Sequence, residues 1–171
     1  LCVTVPEKEI HEVLLDGFLI FLSSLEEAHQ DKIYWAPLIV RWELGLLSEL
    51  GFGLNLENCV ATEVTKDLAY VSPKSGRAVS KTAGEPYHDK LFRLPPFLIG
   101  ATKNIKMQDI IDGLSLTEFF IERYVLSPAG KQIRGAAQRF LTGFPCLFVG
   151  ELAQVFPPAG TQQAAAKWIP Q

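Results

Sequence analysis

Between Arg41 and Gly84 the chain changes its structural period once, and that change restricts the folds open to it. An apolar, helix-spaced run from about Tyr34 to Leu50 ends at Gly51 and Gly53. Glycine is the residue that most readily takes the left-handed conformation in which a helix stops. A single cysteine, Cys59, follows. Two strand-like runs, Leu68–Val71 and Arg77–Ser80, then flank the five-residue turn Ser72–Gly76, the pattern of a β-hairpin. An isolated hairpin is marginal in water, so this one must lean on helices or on a metal. The expected architecture is mainly α: one helical domain carrying a small, degenerate zinc-ribbon-like β-hairpin insertion at about 55–90.

Helical spacing extends on both sides. Pro6 and Glu7 suit a helix start. Ile10, Val13, Leu14, Phe18, Phe21, Leu22 and Leu25 predict an amphipathic helix ending near Ala28. In the next helix Leu38, Ile39, Trp42, Leu46 and Leu50 mark the expected buried stripe, widened by Val40, Leu44 and Leu47. It is apolar on most sides, as a central helix would be. Past Pro95 and Pro96 the spacing returns at Met107 to Leu114. Ser115-Leu116-Thr117-Glu118 reads as a capping box opening a new helix, with Leu116, Phe119, Phe120, Tyr124 and Val125 inward until Pro128. A last helix is expected over Lys131 to Leu141. The segment 143–171 changes character, and much of 157–171 is expected to be disordered. The chain opens on Leu1 and reads as a piece of a longer protein.

Composition narrows the function classes. No run of 18 apolar residues is present to span a membrane as a helix, and no signal peptide is visible. Three scattered cysteines, Cys2, Cys59 and Cys146, suit a reducing compartment, by default the cytoplasm. The net charge of −3 hides an asymmetry of −7 over residues 1–60 and +4 over 61–171. Within 74–106, seven basic residues face two acidic ones, the one candidate anion-binding surface; a solvated ribbon and loop is the other reading. The three histidines, His11, His29 and His88, accompany no nucleophile elbow, phosphate loop or paired-carboxylate motif. The reading is of a non-enzymatic protein without a cofactor.

Four pieces of the chain, in order and spacing, carry a family likeness: Arg41–Leu44, Glu49–Leu54, Leu68–Gly76 and Phe119–Arg123. They resemble the C-terminal part of the bacterial recombination mediator RecO, over roughly residues 7–142. The resemblance implies an N-terminal OB-fold, absent from this chain, that carries most of the DNA binding. Some relatives hold zinc at the ribbon through two cysteine pairs. Here Cys59 matches the first position, while Thr62, Ser80 and Ala83 stand at the others, so a zinc site is not expected.

The resemblance further implies DNA repair through the RecF pathway: loading recombinase onto single-stranded DNA and annealing strands. The implied partners are the acidic, Phe-ended tail of single-stranded-DNA-binding protein, the mediator RecR, and DNA mainly through the missing domain. The implied setting is cytoplasmic and nucleoid-associated. A tail groove needs an apolar pocket with cations around it. Arg123, Lys131, Arg134, Phe120 and Arg41 are its candidates. For Arg41 a salt bridge to Glu43, Glu49 or another helix's acid is the alternative. Lys74, Arg77 and Lys81 on the hairpin are candidate DNA contacts, with Tyr70 or Tyr87 available to stack on a base; packing of Tyr70 onto the helices competes. A helical adaptor outside DNA repair is the rival reading, with an unrecognised enzyme behind it.

Overall fold

The computed structural model describes residues 31–101 and 103–130. The helices expected over 6–28 and 131–141 and the tail from 143 lie outside the described residues.

Helix α1, Lys32–Leu47, starts where Asp31 supplies the cap. Asp31 Oδ1 accepts from the Ile33 and Tyr34 amides at 3.1 and 3.3 Å, satisfying two of the donors that a helix start leaves unpaired. One widened turn, Ser48–Phe52, continues it until Gly51, at φ +84°, takes the left-handed conformation. The buried positions are Trp35, Ala36, Pro37, Ile39, Val40, Glu43, Leu46 and Leu47. The expected stripe is thus turned: Leu38, Trp42 and Leu50 are only half-buried. A helix apolar on most sides does not reveal which face the partner takes. Here the partner chooses a face with Glu43 at its centre.

The hairpin is present, β1 at Leu68–Val71 and β2 at Ala78–Ser80. Tyr70 faces Val79 and Val71 faces Ala78 in antiparallel register, with an irregularity between Leu68 and Tyr70. The turn is closed by Ser72 N–H to Arg77 O and Gly76 N–H to Ser72 O, at 3.0 and 2.9 Å, with Gly76 at φ +66°. A short helix α2, Lys81–Gly84, and a 3-10 segment, Glu85–Lys90, lead to a third strand β3, Phe92–Arg93. It pairs with the other edge of β1, giving the order β2-β1-β3. The insertion is therefore a three-stranded antiparallel sheet rather than a hairpin alone. Two residues beside prolines carry no periodicity, and only pairing with β1 makes them a strand.

Helix α3 runs unbroken over Met107–Ile121 and continues through a widened turn, Glu122–Leu126. The start expected at Ser115 is corrected by this continuity. Amides near Ser115 already have carbonyl partners in the preceding turn, so no orphan donors exist there for a capping box to satisfy. The reach-back contact forms earlier instead, where Asp109 Oδ2 accepts from the Lys106 amide at 2.8 Å.

Two groups of buried side chains hold these elements. Leu46, Leu47, Val71, Leu94, Leu116, Phe120, Ile121 and Leu126 join helices to sheet. Trp35, Ile39, Val40, Phe97, Ile110 and Leu114 join α1 to α3 and to the turn Pro96–Ile99. Each fully buried aliphatic or aromatic side chain contributes roughly 1.5–3 kcal/mol.

Gly84 shows how closely the insertion is folded on itself. A Cβ there would lie 2.4 and 2.9 Å from two atoms of the Tyr70 ring and 3.1 Å from Leu91 Cδ1. Gly84→Ala is expected to cost about 1–3 kcal/mol by overpacking, despite the roughly 1 kcal/mol that alanine offers in a helix. Urea unfolding measures this, and an unchanged midpoint would mean that Tyr70 moves aside freely.

Candidate functional site

The widened turn after α1, the hairpin turn and the end of α3 converge on one groove. It has a volume of about 220 Å³ and is lined by Gly51, Phe52, Gly53, Leu54, Ser75, Gly76, Phe120 and Tyr124. The Phe52 and Tyr124 rings stack at 4.8 Å with only 2° between their planes. Tyr124 lies 6.0 Å from Phe120, which meets Phe119 edge-on at 5.2 Å. Phe52 is 39% exposed while Phe120 is 0% exposed. Phe120 therefore supports the groove, and the accessible aromatic ring is that of Phe52, a residue the sequence analysis did not single out as a site residue.

Arg123 lies beside this groove, next to Tyr124. Its Nη1 donates to the Pro73 carbonyl at 2.9 Å, and its guanidinium lies 5.4 Å from the Tyr124 ring centre and 6.0 Å from that of Phe119. Such placement over a ring adds cation–π attraction and fixes the side chain against the hairpin turn. Lys74, exposed, is the next residue along that turn. Arg123, bonded to the Pro73 carbonyl, and Lys74, the next residue in chain, were assigned from sequence to separate sites and meet at the hairpin turn.

The other candidates are dispersed. Arg41 Nη2 donates to the Phe97 carbonyl at 2.7 Å, so it ties α1 to the turn at 96–99 rather than pairing with Glu43 or Glu49. Its neighbour Val40 packs against Gly113, and Arg123 lies ten residues beyond Gly113, about 15 Å at helical rise. The structure does not bring Arg41 to the groove. Arg77 is half-buried and donates to Asn58 Oδ1 at 3.4 Å, which builds it into the ribbon. Lys81 is exposed at the far end of β2 from Lys74, about 10 Å of strand away. Tyr70 packs on Gly84, whereas Tyr87 is exposed. Lys131 and Arg134 lie outside the described residues.

At the ribbon's ligand-like positions Cys59 and Ser80 do meet. The Ser80 amide donates to Cys59 Sγ at 3.2 Å, and Ser80 Oγ lies 3.5 Å away. Burial pushes the thiol up, but bonds from the Ser80 and Thr62 hydroxyls and from the Ser80 and Ala61 amides outweigh it. The result is a thiol lowered from 9.0 to about 6. One sulfur, two hydroxyls and a methyl group do not fit a zinc ion. Among the described residues no group of three or more His, Cys, Asp or Glu gathers that could hold a metal. No helix of the described residues is long and apolar enough to cross a membrane.

Sequence reasoning missed Glu43 as a distinctive residue. It is 3% exposed and hydrogen-bonded to Thr117 of α3. Burial drives its carboxyl up to about 8, the Thr117 bond opposes this, and nearby Glu118 adds to it. The signal was legible: Ala36, Val40, Glu43 and Leu47 share one helical face, with an acid among apolar residues.

The described residues form a helical domain that carries a small three-stranded sheet, with an aromatic groove beside Arg123. The family profile "Recombination protein O C terminal" matches residues 2–132, and the chain belongs to this RecO family. It is 52% identical to the DNA repair protein RecO of Rhodopseudomonas palustris (strain BisB18) over 159 residues, 90% of this chain and 58% of that protein. It is 43% identical to the DNA repair protein RecO of Rhodospirillum centenum over 138 residues, 80% of this chain and 53% of that protein. Against that of Bartonella tribocorum the identity is 48% over 124 residues, 72% and 48% of the two chains. The chain spans about half the length of these curated relatives. No solved structure matches it significantly.

Proposed function

We propose that this chain is the protein-contact part of a DNA repair and recombination mediator. In this reading it acts by recognition rather than catalysis. It docks the acidic, Phe-ended tail of single-stranded-DNA-binding protein, contacts RecR, and so promotes recombinase loading and strand annealing in a nucleoid-associated, cytoplasmic setting. Its family membership supports the repair role.

The observation that carries the docking is the juxtaposition of the Phe52–Tyr124 stack with Arg123 and Lys74. The exposed part of the Phe52 ring offers a surface for a terminal aromatic ring, and the cations suit the tail's carboxylates. Lys131 and Arg134, outside the described residues, stay in the proposal as candidate cations from sequence, while Phe120 acts as support and Arg41 drops out. Direct DNA contact by Lys74 and Lys81, with Arg77 secondary, would be weak and salt-sensitive, as phosphate contacts are.

Titration of the full chain into a fluorescent peptide copying an acidic, Phe-terminated tail tests the docking. Saturable binding is expected at low salt, weakening as salt screens the charges. Arg123→Glu should weaken it at least about tenfold, equivalent to roughly 1.4 kcal/mol. Absence of binding by a demonstrably folded chain, or full binding by the Arg123→Glu variant, would remove the groove from this reading.

A further inference from the structure

We propose that Glu43 is held in the folded protein as a neutral carboxylic acid that donates its proton to Thr117, forming a proton-dependent latch between α1 and α3. The device does not rest on the function proposed above.

Proton counting carries the argument. Thr117 Oγ1 has three oxygen neighbours: Glu43 Oε2, Gly113 O and Leu114 O, the two carbonyls each at 3.2 Å. A hydroxyl has one proton to give and two lone pairs with which to accept. If Glu43 were a carboxylate, all three neighbours would be acceptors competing for one proton. If Glu43 carries the proton, it donates to Thr117 Oγ1, and the threonine proton is free for the Gly113 or Leu114 carbonyl. The second arrangement gives each of the two protons an acceptor in a buried site, whereas the first leaves the carboxylate and two carbonyls sharing one.

The charges around the site favour the same state. Thr117 is 0% exposed, and the surroundings are apolar: Val40, Leu46, Leu47, Leu114 and Leu116 are all buried nearby in chain and helical turn. On α1 the nearest cation in sequence, Arg41, is turned outward to the Phe97 carbonyl. On α3 the ionisable neighbour is Glu118, an acid that disfavours a second negative charge. The turn Pro96–Ile99 contributes no ionisable side chain. A buried carboxylate with one hydroxyl partner and no described cation would carry the full cost of its desolvation. Helices α1 and α3 also approach closely here: a Cβ on Gly113 would lie 3.1 Å from Val40 Cγ1 and from Phe97 Cζ. That approach leaves little room for a hydrated ion.

Carbon NMR on the full chain, with glutamate side-chain carboxyls labelled, reads the protonation state directly. One resonance is expected to stay in the protonated position above about pH 6, where exposed glutamates have ionised, and to be missing in Glu43→Gln. Thr117→Val, of similar shape, keeps the test sharp should Glu43→Gln misfold: removing the hydroxyl should shift that resonance's titration. Ionisation of every glutamate below about pH 6 would overturn the neutral acid. A titration unmoved by Thr117→Val would overturn Thr117 as its partner.

Discussion

Phe120→Ala is expected to destabilise the chain by about 3–5 kcal/mol, the range for removing a buried aromatic ring. Phe120 is wholly inaccessible and packs in the group that joins Leu46 and Leu47 of α1 to Val71 and Ala78 of the sheet. Its ring also meets Phe92 of β3, Phe119 and Tyr124 at 6.4, 5.2 and 6.0 Å between centres. Losing it opens a cavity under both the sheet and the groove. Urea unfolding should show the lowered midpoint, and any tail binding should fail because the support collapses. Phe52→Ala, at an exposed ring, should cost well under half as much stability while still weakening binding. Equal stability of Phe120→Ala and the parent would contradict the placement of Phe120 in the core.

Glu43 is expected to make the fold less stable as pH rises. Its carboxyl titrates near 8 in the folded chain against 4.5 ordinarily, so between these values the unfolded state has shed a proton that the folded state keeps. The stabilisation is fully present below about 4.5, is lost as pH rises through about 8, and then levels. The spread corresponds to a few kcal/mol, on the order of 1.4 kcal/mol per pKa unit. Cys59 acts in the opposite sense: a thiol lowered to about 6 from 9.0 contributes stability present above 9 and lost as pH falls through 6. The two slopes oppose each other between about 6 and 8. The quantity to measure is therefore the difference between the parent and Glu43→Gln, by urea unfolding across that range. The glutamine variant should gain on the parent as pH rises, since its amide retains a donor for Thr117 without a proton to lose. A difference independent of pH would remove the titration of Glu43 from the protein's stability.

How much was legible beforehand divides along a physical line. Interactions between near neighbours leave their mark in the sequence. Gly51 ends the central helix in the left-handed conformation, the turn Ser72–Gly76 joins two strands, and the order of these pieces marked the family. The absence of cysteine at Thr62, Ser80 and Ala83 was visible residue by residue, and of the expected inward run Leu116, Phe120 and Val125 are buried while Phe119 and Tyr124 are half-buried.

What pairs distant residues was not legible in the same way. The stripe of α1 is turned toward Glu43 because α3 packs there, and a helix apolar on most sides accommodates several faces. Ser115–Glu118 has the letters of a helix start, yet continuous backbone bonding through α3 removes the orphan amides that a start requires. Phe92–Arg93 is a strand only because β1 has a free edge beside it. Arg41 and Arg123 look alike as cations on apolar helices, but one reaches the Phe97 carbonyl and the other the Pro73 carbonyl. That difference alone sets Arg123 beside the groove-lining Tyr124 and Arg41 against the turn at 96–99. The sequence by itself determined the helical domain, its hairpin-bearing insertion and the family, because local turns, caps and periodicity suffice for those. Tertiary structure alone decided the groove and the Glu43–Thr117 contact, because each depends on side chains separated by tens of residues meeting where water is excluded.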